Sequence, residues 1–185
     1  MKKSILFTFF ALTLSTFASG IDWKLNTLST ANYMVGADGN KLTGTAYLML
    51  TDDVTSTTFT SEQDIINLAL GGSEGSIAIV NGVNTNLKTT TDNRLVAPTE
   101  YSFTVLIFDS GSGSYYTTAS KTYAAYNPGA DADHYGGQVQ MTMTAGDLYA
   151  TAAKRGTQDW VSVPEPSTAA LALAGLALLL KRRRA

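Results

Sequence analysis

The sequence predicts an all-β fold: an antiparallel β-sandwich of jelly-roll or immunoglobulin-like type with one short helix, flanked by an N-terminal signal helix and a C-terminal transmembrane helix. Three observations carry this expectation. Between residues 21 and 160 apolar residues recur with period two, and no long 3.6-residue period develops. Asp-Gly and Asn-Gly dipeptides, among 16 glycines, separate these stretches at hairpin spacing. An apolar run lies at each end of the chain, next to a basic cluster.

The N-terminal run has the three parts of a secretory signal: Lys2 and Lys3, the apolar stretch Ile5 to Leu14, and small residues at Ala18-Ser19-Gly20. Cleavage after Gly20 places Ala18 at −3 and Gly20 at −1, so residues 1–20 form the signal and the mature chain begins Ile21-Asp22-Trp23. The run is about half of the roughly 20 residues that a membrane span requires, which favours removal over anchoring.

Residues 21–160 make up the extracytoplasmic body. Asp38-Gly39 separates Asn32–Val35 from Leu42–Leu50, and Asn81-Gly82 separates Ser76–Val80 from Val83–Leu87. Such dipeptides supply the positive φ that tight turns need. Between these hairpins Ser61 stands as a helix cap with Glu62 and Asp64 in an acidic first turn, Ile65, Ile66, Ala69 and Leu70 as the apolar stripe and Gly71-Gly72 as the stop. Tyr101–Phe108 reads as a central strand, with Tyr101, Phe103, Val105 and Ile107 on one face and Leu106 and Phe108 on the other. The stretch 109–114 is a Gly/Ser tip leading into Tyr115–Tyr126. Gln138–Ala145 alternates strictly and reads as a half-solvated antiparallel strand. About seven to nine strands fit a sandwich. A body of about 140 residues buries enough surface to fold without disulfides.

Composition excludes several functions. With no Cys there is no disulfide frame, thiolate metal site or cysteine nucleophile, and a single His, His134, excludes sites needing two. Residues 21–163 carry seven Lys/Arg against fourteen Asp/Glu, a net charge of −7, which offers nothing to nucleic acid. Walker, dinucleotide-binding and zinc-protease motifs are absent. No cofactor and no catalytic residue is expected, and the body reads as a non-enzyme. Asp131 and Asp133, in the glycine-rich loop 127–137, could offer oxygen ligands to Ca²⁺, but the EF-hand register is missing and turn chemistry explains them.

At the C-terminus, residues 161–166 form a short tether ending in Pro164-Glu165-Pro166, residues 167–180 an apolar helix with leucines at 171, 173, 176, 178, 179 and 180, and residues 181–185 a stub with Lys181, Arg182, Arg183 and Arg184. The helix covers only about 20 Å of a hydrocarbon core near 30 Å, so it spans marginally. The cations hold the stub in the cytoplasm by the positive-inside rule. The two prolines keep Glu165 out of any helix.

This order of tripeptide, short apolar helix and arginine cluster at 163–185 resembles the PEP-CTERM sorting signal of Gram-negative bacteria. The resemblance implies an exosortase, a polytopic membrane transpeptidase, as partner, cutting near the tripeptide and placing the body at the cell surface. It also implies an association with exopolysaccharide and matrix. A structural surface or matrix protein is the expectation for the body. The alternative is a carbohydrate-binding module stacking sugars on exposed rings from the tyrosine-rich segment, with Tyr115, Tyr123, Tyr126 and Tyr135 as candidates beside Tyr116. Tyr115 and Tyr116, being adjacent, must face opposite ways on a strand.

Overall fold

The computed structural model describes residues 18–25, 33–84, 87–128, 141–145, 148 and 159–163. Its organising element is the ten-residue strand β5 (Glu100–Asp109), whose alternation separates two apolar clusters. Phe103, Val105 and Ile107 enter one cluster, while Leu106 and Phe108 enter the other. That is the partition its sequence predicts.

One edge of β5 is occupied by β2 (Gly44–Leu50) from end to end, with Gly44 opposite Asp109 and Leu50 opposite Phe103. The other edge is shared by β6 (Ser114–Thr117) and β7 (Lys121–Ala124). The register slips by one residue between them, as at a β-bulge. Thr118 bridges the slip: its N–H donates to the Val105 carbonyl at 2.9 Å, and its hydroxyl accepts from the Val105 N–H at 3.0 Å. The expected single strand at 115–126 is therefore two. The tip before β6 is pinned by Asp109, whose buried carboxylate accepts from Gly111 N–H at 3.0 Å, Ser112 Oγ at 2.8 Å and Ala37 N–H at 3.1 Å.

Strand β3 (Ile77–Ile79) pairs with the outer edge of β2, and β9 (Val161–Ser162) with the outer edge of β6. A second, three-stranded sheet has β1 (Ser19–Leu25) at its centre, between β4 (Lys88–Asp92) and β8 (Met141–Met143). The two sheets face each other across the larger cluster. Ile21, Trp23, Leu25, Met141 and Met143 come from the smaller sheet, and Ala46, Leu48, Ile77, Ile79, Phe103, Val105 and Ile107 from the larger. Trp23 is fully buried, and its indole N–H donates to Thr90 Oγ1 at 2.9 Å.

The far face of the larger sheet is covered by α2 (Glu62–Leu68), which seats Ile65 on Tyr47, Met49 and Leu106. Its signals act as the sequence predicts: Ser61 Oγ accepts from Asp64 N–H at 3.1 Å, and Gly71 and Gly72 follow at positive φ. Tyr47 reaches Glu62 at 2.9 Å, and its phenol is pushed up to about 12 by burial and by that carboxylate.

Four further expectations change. A second helix, α1 (Thr51–Ser56), follows β2 where one helix was expected; it buries no residue and has no side-chain cap, so no apolar stripe marks it. The Asn81-Gly82 turn is a two-residue turn with φ of 53° and 76°, yet among the described residues its arms pair only at the Val80–Val83 bridge, and β4 pairs with β1 instead. At Asp38-Gly39, among the described residues, the arms meet only at the Val35–Lys41 bridge. Finally, β8 runs parallel to β1, with Trp23 opposite Met141 and Leu25 opposite Met143, so the architecture departs from an all-antiparallel sandwich. Alternation reports a buried face, here Met141, Met143 and Ala145, but carries no information about strand direction.

Candidate functional site

The segment Trp160-Val161-Ser162-Val163 alternates, and the outer edge of β6 offers it unpaired backbone groups. Val161 lies opposite Tyr115 and Ser162 opposite Ser114, and the Val163 N–H donates to the Gly113 carbonyl at 2.9 Å. Trp160 packs on Tyr116 at 5.9 Å between ring centroids on one face. Val163 is buried in the α2-side cluster on the other. The next residue is Pro164, which has no N–H to continue the ladder. Residues 161–163 were expected in a tether; they are instead part of the sheet, because their alternation matches the two faces that β6 already presents. The sheet therefore extends past 160 to Val163, and the tripeptide follows directly in the sequence.

This junction is where the chain meets known proteins. Residues 162–185 match the PEP-CTERM protein-sorting motif. The match begins inside β9 and covers the tail alone. No curated protein and no solved structure matches the chain. A PEP-CTERM tail implies an exported, membrane-processed protein recognised by an exosortase, a membrane enzyme. Pro164, Glu165, Pro166, the apolar segment 167–180 and Lys181, Arg182, Arg183 and Arg184 lie outside the described residues. Among the described residues no helix is long and apolar enough to cross a membrane.

At the other end, Ala18 is half-buried and Gly20 lies within β1, opposite Thr91. The cleavage position read between Gly20 and Ile21 thus falls inside a paired strand.

The tyrosines are taken up by packing. Tyr126 is buried, and its hydroxyl donates to Asp22 Oδ1 at 2.7 Å. Tyr115 is half-buried, edge-on to Phe59 at 5.5 Å, and packs on the α2-side cluster; burial pushes its phenol up. Tyr123 is half-buried against the inter-sheet cluster, opposite Tyr101, and burial, with a smaller effect from the Asp22 charge, pushes its phenol up. Tyr115 and Tyr116 do face opposite ways, each onto a different cluster. Of the four stacking candidates, the three described ones present no pair of exposed rings on a shared face. Tyr135 lies outside the described residues, as do Asp131, Asp133 and His134.

Buried Asp22 and half-buried Asp92 have structural partners. Asp22 accepts from Thr89 Oγ1 at 2.6 Å as well as from Tyr126. Asp92 accepts from Gly71 N–H at 3.0 Å and from Arg94 Nε and Nη2, both at 2.9 Å. Arg94 extends the clamp to Asp53 at 3.2 Å and to the Leu68 and Ala69 carbonyls at 3.0 and 3.1 Å, at the end of α2. Among the described residues no group of three or more His, Cys, Asp or Glu side chains is placed to hold a metal. The residues that sequence reasoning missed are those of β9 and of β1. Their signal was alternation, at Val161-Val163 and at Ile21-Trp23-Leu25, obscured by the sorting signals on either side.

Proposed function

We propose that the chain is an exported structural protein of the cell surface or extracellular matrix, delivered by an exosortase-type transpeptidase acting at Pro164-Glu165-Pro166. The observation that carries this reading is the junction: the sorting motif begins as the last strand of the body, with Val163 seated in a core. The chain has no disordered stalk between sheet and tripeptide, so the transpeptidase handles a folded load held at the membrane surface. The same reading takes the segment 167–180 as a transient anchor and the arginine stub as its cytoplasmic stop. Its body works as a passive module, since the buried Asp22 and Asp109 and the half-buried Asp92 carboxylates are spent on holding strands and turns together.

Mass spectrometry of the surface-exposed protein tests delivery. The expected form ends near Pro166 and lacks the arginine stub. A surface form retaining Arg184-Ala185 refutes processing and leaves a single-span anchor. A host in which the exosortase is inactive should keep the full-length tail.

A further inference from the structure

We infer that export processing cuts between Ala18 and Ser19, so that the mature chain begins at Ser19 rather than Ile21. The inference rests on reading the N-terminal segment as a secretory signal. Two positions satisfy the small-residue requirement of such a signal: Ala18 at −3 with Gly20 at −1, and Thr16 at −3 with Ala18 at −1. Residue types alone do not separate them, but the folded strand does.

Ser19 and Gly20 are working members of β1. Ser19 pairs with Asp92 and Gly20 with Thr91. On the other side, Gly20 N–H donates to the Tyr126 carbonyl at 2.7 Å, and Tyr126 N–H donates to the Gly20 carbonyl at 3.0 Å. The Ser19 hydroxyl accepts from Ala97 N–H at 3.0 Å and donates to Asn127 Oδ1 at 3.3 Å, joining the loop before β5 to the segment after β7. A Cβ at Gly20 would lie 2.9 Å from Pro128 Cγ and 3.1 Å from the Thr90 carbonyl oxygen. Close packing of the fold therefore accounts for glycine at this position without any role at −1 of a signal.

Cleavage after Gly20 would remove both residues, and with them the partners of the Tyr126 N–H and carbonyl, of the Ala97 N–H and of the β4 end at Thr91 and Asp92. Hydrolysis of the Ala18–Ser19 bond consumes one water, leaves a carboxylate on Ala18 and an ammonium on Ser19, and keeps every β1 pair. The charge then sits at the very end of the strand. Processing acts on the extended chain before folding, so the choice of bond decides whether the strand is complete when the sheet forms.

The test is the N-terminal peptide of the full chain exported from a Gram-negative host, read by mass spectrometry. The expected peptide is Ser19 to Lys24; one beginning at Ile21 overturns the inference while leaving the secretory reading intact. A chain retaining Met1 overturns both. A second arm uses Thr16→Asp, a residue absent from either mature form. A charge at −3 should abolish the Ser19 N-terminus and accumulate precursor, whereas the same residue stands at −5 of the rival bond. Undiminished processing at Ser19 in this variant would also overturn the assignment.

Discussion

The Tyr126 hydroxyl donates to the Asp22 carboxylate at 2.7 Å, joining the chain after β7 to the middle of β1 across a buried strand edge. Thr89 Oγ1 on β4 donates to the same oxygen at 2.6 Å. Three segments distant in sequence thus meet at one carboxylate that is 5% exposed. Removing one donor leaves a buried acceptor short of a partner. Tyr126→Phe should therefore cost about 1–3 kcal/mol, read as a lower urea midpoint with an unchanged m value.

Acid should weaken the Arg94 clamp in a defined window. Burial acts to raise the Asp92 carboxyl, but hydrogen bonds from Arg94 and Gly71 and the guanidinium charge outweigh it and lower it to about 2 from 3.8. A folded value below the unfolded one means the stabilisation is complete above about pH 4 and is lost as pH falls toward 2. The native chain should lose stability through that window. Asp92→Asn should start less stable at neutral pH and show a smaller loss there. Equal acid slopes for the two chains would contradict the assignment.

Much of the body was legible because its signals are local. The Ser61 cap, the Gly71-Gly72 stop, the Asn81-Gly82 turn and the two faces of Tyr101–Phe108 each depend on residues within one turn or one strand. What was not legible depends on distant partners. Nothing within Met141–Met143 says that its neighbour is Trp23 running parallel, and nothing within 115–126 says that Thr118 must step out to let β7 slip by one. The Asp92–Arg94–Asp53 clamp likewise joins segments that only the fold brings together. At the candidate site the tripeptide itself was legible, as a short ordered signal matched over 162–185. Its seating on β6 was not, because two paired residues leave too short a pattern to separate from a tether.

That seating gives a contrast between Val161 of β9 and Val163 just after it. Val163 is 8% exposed within the α2-side cluster, whereas Val161 is 47% exposed. Val163→Asp places a carboxylate in an apolar pocket and should cost about 2 kcal/mol or more. Val161→Asp should stay within about 0.5 kcal/mol of the native chain. Paired denaturation curves check this, and equal effects would mean that β9 contributes nothing to the body.

Gly44 offers the most severe single test of the sheet. It opens β2 between two strands, opposite Ile79 of β3 on one side and Asp109 of β5 on the other, so backbone confines it from both directions. A Cβ built there runs into the Phe108 carbonyl oxygen, with its carbon and Asp109 Cα close behind at 2.9 and 3.2 Å. These are main-chain atoms of the central strand, held in register by β2 and β6, and they cannot turn aside as a side-chain tip would. Gly44→Ala should therefore force the β2–β5 ladder open at its end, next to the turn that Asp109 pins. The expected cost is about 2–4 kcal/mol, well above the roughly 0.5–1 kcal/mol that Ala for Gly ordinarily gains from lower chain entropy. Gly39→Ala is the comparison: Gly39 has open space around it and a φ of 78°, so its cost comes from backbone strain alone and should be about 1 kcal/mol. If Gly44→Ala proves no worse than Gly39→Ala in matched thermal unfolding, then the close approach of β2 to the Phe108 carbonyl does not govern stability at that edge.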